Sequence, residues 1–128
     1  MKYPDIASLL MRITFGGLML THGWPKMEKL LAWGEIRFAD PIGIGPTASL
    51  ILTVIAEVLC ALLVVLGIKT RITVIPLIIV MAIAAFVVHA GDPLGDREMA
   101  FIYLAGYLVI SMLGSGKYSL DYVLFKKK

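Results

Sequence analysis

Cysteine is nearly missing: Cys60 stands alone among 128 residues, inside an apolar run. One cysteine excludes an intramolecular disulfide and a Cys-x-x-Cys redox pair within this chain. Charge is also scarce. Asp, Glu, Lys and Arg make up 16% of the residues, against roughly 25% in soluble domains. The two histidines, His22 and His89, fall on different segments, and no HxxxH or ExxH spacing supports them. A metal site is therefore not expected. No sequence repeat, low-complexity tract, or haem, flavin or iron–sulfur signature is found. The net charge of +3 and the pI of about 9.1 do not point to nucleic acid. No basic patch interleaved with aromatics accompanies them.

Apolar residues are abundant instead. They form 59% of the chain, and mean hydropathy is +0.90. The bilayer is the expected solvent, because soluble domains hold only about 45–50% apolar residues. A spanning helix needs about 20 mostly apolar residues. Four runs approach this, at about 6–22, 47–66, 72–90 and 99–114. The first reads as a retained helix rather than a signal peptide. Asp5 and Arg12 interrupt it, and no small-x-small cleavage site follows. Residues 1–128 read as a single membrane domain.

The connections differ in length. "GIKTR" makes a tight turn opened by Gly67, and "GDPLGDRE" carries Asp-Pro and Gly turn signals. The first connection is long. Within it Trp24, Met27, Leu30 and Leu31 fall at helical spacing, Pro25 suits a first turn and Gly34 a stop. The expected fold is all-α: a four-helix transmembrane bundle with a short interfacial helix after the first span. Four spans put both termini on one side. That side holds Lys2, Lys69, Arg71, Lys117, Lys126, Lys127 and Lys128, against Lys26, Lys29, Arg37 and Arg97 opposite. The bias places both termini in the cytoplasm.

Each run carries one small or polar stripe. The stripes are Arg12, Gly16 and Met19; Ser49, Thr53, Ala56, Glu57 and Cys60; Ala82, Ala85 and His89; and Tyr103, Tyr107 and Ser111. Such stripes favour helix–helix contact in lipid. Depth can be counted from each outer helix end at about 1.5 Å per residue. Arg12 lies ten residues below His22, Glu57 ten below Thr47, and Tyr107 eight below Met99. That places the three in one layer, about 12–15 Å in. A lone charge at a helix centre costs about 2.5–3.5 kcal/mol on insertion scales. Arg12 and Glu57 are therefore expected to face inward and pair, with Tyr107 as a hydrogen-bond partner. Such a pair serves either as a staple fixing register or as a ligand or proton site. His22 and His89, with Lys26 and Tyr103 near them, are expected to form a polar mouth above that layer or to anchor at the interface. Cys60 is expected to be an apolar filler.

These residues resemble DoxX-type membrane proteins. The resemblance is carried by "RITFGGLMLTHGWPK", the Glu of the second helix, "LGIKTR", the His ending the third helix and "GSGKYSLD". It runs from Arg12 to Asp121. It implies a small four-helix integral membrane protein of the bacterial or archaeal inner membrane. It also implies functional positions at Arg12, His22, Gly23, Lys26, Glu57 and His89. Family members include a subunit of an archaeal thiosulfate:quinone oxidoreductase, and related proteins are associated with thiol redox and oxidative stress. Those that handle disulfides rely on cysteine pairs, which Cys60 alone does not supply.

The functional expectation is a redox-associated inner-membrane protein that binds a quinone or similar lipophilic ligand. The candidate residues are Arg12, His22, Lys26, Glu57, His89, Tyr103 and Tyr107. No cofactor is intrinsic to the chain, so an oxidoreductase role would need electrons from a partner redox subunit or a soluble thiol or sulfur enzyme. The alternative is a non-enzymatic scaffold, assembly subunit or small transporter.

Overall fold

The computed structural model describes residues 3–32, 40–88 and 91–125. Those residues form helices and turns, with no strand among them. Helix α1 covers residues 4–31 without a break: Pro4–Met11, a π-helical turn over Arg12–Gly16, then Gly17–Leu31. Helix α2 covers Pro46–Leu66 and α3 Thr70–Val88, each with a π-helical turn of its own. Helix α4 covers Leu94–Leu113, and a short α5 covers Leu120–Phe125. By length and composition, α2 and α3 are each sufficient to cross a membrane.

Local chemistry sets the helix ends. Pro4 and Pro46 open α1 and α2 at a first-turn position, where the missing N–H has no intrahelical partner to lose. Gly67 ends α2 in the left-handed region at φ 77°. There the N–H groups of Gly67 and Ile68 both reach the Leu63 carbonyl at 2.9 Å. This reversal lets α3 start three residues later.

The expected interfacial helix is not a separate element. Pro25 lies inside α1, and the residues after it continue the same helix to Leu31. A proline removes one rung, the bond its N–H would make to the carbonyl four residues back. The remaining rungs and a tertiary contact of Lys26 carry the helix across the gap. The expected stop at Gly34 lies outside the described residues. The fourth helix also begins earlier than expected, at Leu94 rather than near Met99.

The four long helices pack in a ring. α1 touches α2 and α4, α2 touches α3, and α3 touches α4. The expected inward stripes are largely buried. Ser8, Arg12, Gly16, Met19 and Gly23 of α1 are buried at spacings of three and four. Ser49, Ala56, Glu57 and Cys60 are buried on α2, and Tyr103 and Tyr107 on α4. Large apolar side chains such as Leu18, Leu52, Ile75, Ile79, Ile102 and Leu108 point outward. Two charged side chains, Arg12 and Glu57, are buried while many leucines and isoleucines face outward, which departs from the soluble pattern.

Glycines bring α1 against α2. A Cβ on Gly23 would lie 2.8 Å from the Glu57 carbonyl oxygen, and one on Gly16 would lie 3.1 Å from the Ala61 carbonyl oxygen. Backbones this close are a common device of helix packing in lipid.

Candidate ligand site beside the Lys26–Glu57 pair

Arginine chemistry explains much of the frame. A helix leaves its last four carbonyls without intrahelical donors. Three arginines answer that need, each from another helix. Arg12 of α1 donates to the Val64 and Val65 carbonyls at the end of α2, at 3.3 and 2.9 Å. Arg71 of α3 donates to the Ser111 and Met112 carbonyls at the end of α4, at 3.1 and 3.3 Å. Arg97 of α4 donates to the Ala85 carbonyl in the last turn of α3, at 3.0 Å. A cation there also complements the helix dipole.

Arg12 is fully buried, as expected, but it does not pair with Glu57. Its other nitrogens donate to the Ser8 hydroxyl at 3.3 Å and the Tyr118 carbonyl at 2.6 Å. It therefore ties α1 to the end of α2 and to the segment before α5. The expected pairing fails on register. Gly23, not Arg12, lies opposite Glu57. Arg12 is eleven residues before Gly23, about 16 Å along the helix. Counting depth from His22 and Thr47 assumed level helix ends, and α1 overruns that level.

Glu57 pairs instead with Lys26, one turn beyond Gly23. The ammonium lies 2.8 Å from Oε1 and 2.9 Å from Oε2. The Glu57 side chain is 1% exposed and that of Lys26 is 32% exposed. The acid sits inside the protein, while its partner reaches in from the rim.

The pair lines a cavity of about 350 Å³ between α2 and α3. Its walls are mainly apolar, including Leu52, Ile79, Met81 and Val88, and Ser49 and Thr53 add hydroxyls. Pro41, Ile42 and Ile44 close one side. Asp40 fixes that strap. Its carboxylate accepts the Ile44 and Gly45 N–H groups at 2.9 Å and the Ser49 hydroxyl at 3.1 Å. Ser49 lies on the expected inward stripe of α2, whereas Asp40 and the strap were not among the expected site residues. "DPIGIG" signals a turn but not the surface it covers.

The other candidates separate from this cavity. Tyr107 is fully buried and donates to the Phe15 carbonyl at 3.2 Å, not to an ion pair. Tyr103 stacks on it at 5.9 Å and meets Phe15 edge-on at 5.8 Å. His22 is exposed and meets Tyr103 edge-on at 5.6 Å, so it joins an α1–α4 aromatic row. His89 lies outside the described residues. Among the described residues no group of three His, Cys, Asp or Glu side chains could hold a metal.

Residues 7–90, well over half of the chain, match the DoxX family. The chain belongs to the DoxX family of membrane proteins. The DoxX match includes Arg12, Gly23, Lys26 and Glu57, the residues that set the α1–α2 register and the cavity wall. The chain is also 28% identical over 130 residues to inner membrane protein YqjF of Escherichia coli (strain K12), covering 98% of each. No solved structure matches it.

Proposed function

We propose that this DoxX protein is a multi-pass inner-membrane protein that holds a quinone-type or similar lipophilic ligand beside Lys26 and Glu57. The observation that carries the reading is an apolar cavity of about 350 Å³ with a buried acid and its ammonium partner in the wall. Ligand sites are typically apolar clefts of about 300–1,000 Å³ with a few convergent polar groups. The apolar walls suit a ring and its tail. The Lys26 ammonium and the Ser49 and Thr53 hydroxyls suit carbonyl oxygens. Glu57 holds the ammonium in place and can take or return a proton through it. Ionisable residues within a membrane are functional candidates by default. A bound quinone would supply two-electron chemistry, with electrons delivered by a partner subunit or a soluble thiol or sulfur enzyme.

All four long helices are read as spans, consistent with the apolar exterior they share. The end carrying Lys69, Arg71 and Lys117 is read as cytoplasmic. The deciding experiment measures quinone retained by the purified protein, for wild type, Lys26→Met, Glu57→Gln and His22→Ala. Lys26→Met and Glu57→Gln are expected to lose most of the quinone, and His22→Ala to keep it. Folded Lys26→Met and Glu57→Gln proteins with wild-type retention would remove the site and leave the scaffold, assembly or transporter reading.

A further inference from the structure

A second cavity, of about 500 Å³, lies at the end of the molecule where α1 begins and α4 ends. It is unlike the first. Lys69, Arg71 and Lys117 line it together with Asp5 and Asp121. Lys69, Arg71 and Lys117 are exposed. Apolar Ile72 and Leu113 border the same space. Charges of both signs therefore surround one cleft next to an apolar margin.

The acids are unequally used. Asp5 Oδ1 accepts the Lys117 N–H at 3.0 Å. Asp121 Oδ2 accepts the Lys69 N–H at 2.7 Å and the Ser115 hydroxyl at 2.8 Å. Asp121 Oδ1 is buried and is the one buried side-chain oxygen or nitrogen without a hydrogen-bond partner among the described residues. Buried polar atoms are almost always satisfied. Arg12 gives Asp121 a nearby positive charge but no hydrogen bond to Oδ1, so that oxygen retains capacity for a further donor.

We infer that this cleft binds the headgroup of a zwitterionic aminophospholipid, of the phosphoethanolamine type. The phosphate sits against Lys69, Arg71 and Lys117, and the ammonium against Asp121. The lipid tails leave past Ile72 and Leu113. A primary ammonium suits the acid because it donates three hydrogen bonds. A trimethylated choline donates none. A purely anionic headgroup would satisfy the cations and leave Asp121 repelled. Basic pockets between spanning helices on the cytoplasmic side are a known place for lipid headgroups.

The test is native mass spectrometry of the delipidated protein with equal concentrations of phosphatidylethanolamine, phosphatidylcholine and phosphatidylglycerol of the same chain length. Phosphatidylethanolamine is expected to be retained about fivefold or more over phosphatidylcholine, the order of at least one added hydrogen bond. Asp121→Asn should abolish that preference. Should that variant not fold, Lys117→Glu, at an exposed side chain, should lower retention of phosphatidylethanolamine about fivefold. Soluble phosphoethanolamine should compete poorly. Equal retention of ethanolamine and choline lipids, a preference for phosphatidylglycerol, or full competition by soluble phosphoethanolamine would each overturn the proposal. So would a folded Asp121→Asn protein with unchanged preference, or a folded Lys117→Glu protein with unchanged retention.

Discussion

Removing the ammonium of Lys26 should be far more damaging than removing the charge of Glu57. Both carboxylate oxygens of Glu57 contact the Lys26 ammonium, at 2.8 and 2.9 Å, and the acid is 1% exposed. Lys26→Met keeps the length of the side chain but strands a buried charge. Breaking a buried pair from one side typically costs about 3–5 kcal/mol. Glu57→Gln removes the carboxylate from Lys26 instead, but the lysine side chain is 32% exposed and can turn to water. That loss should be about 1 kcal/mol. In the double variant neither charge of the pair remains, and replacing a pair by neutral groups is often nearly neutral. The double variant should therefore be about 2–3 kcal/mol more stable than Lys26→Met alone. Reversible unfolding in mixed detergent, followed by circular dichroism, measures all four proteins. Additive losses, with the double variant below Lys26→Met, would refute the buried-pair reasoning. So would a Lys26→Met protein within about 0.5 kcal/mol of wild type.

Two other predictions follow from the packing. Gly23→Ala should cost about 1–3 kcal/mol, because its Cβ would lie 2.8–2.9 Å from the Glu57 backbone and Cβ. Gly17→Ala, with nothing within 4 Å, should be neutral or slightly stabilising by helix propensity; equal behaviour of the two in the same unfolding assay would contradict the close approach. Arg12→Gln should lose at least about 2 kcal/mol, since two carbonyls of α2, the Tyr118 carbonyl and Ser8 lose a donor. Hydrogen exchange in residues 118–121 should rise with it, and unchanged protection there would show that Arg12 does not hold that segment.

The amino-acid sequence by itself determined the helical character of the long runs and their inward faces. Helical geometry fixes which side chains share a face. Ser49, Ala56, Glu57 and Cys60 could therefore be set on one stripe before any packing was known. An apolar exterior also assigns the two mid-helix charges, Arg12 and Glu57, to the inside. The sequence did not determine which charges meet. Arg12 and Glu57 looked level because each was counted from the apparent end of its own helix. Tertiary packing decided otherwise. Gly23 admits the Glu57 backbone at van der Waals limits, and this slides α1 until Lys26 reaches the acid. Arg12 is left beside the open carbonyls of α2. Pro25 likewise reads as a helix start, yet α1 runs through it. The physical reason is common to both cases. Periodicity constrains rotation about a helix axis, but the shift along that axis depends on the surface of the neighbouring helix.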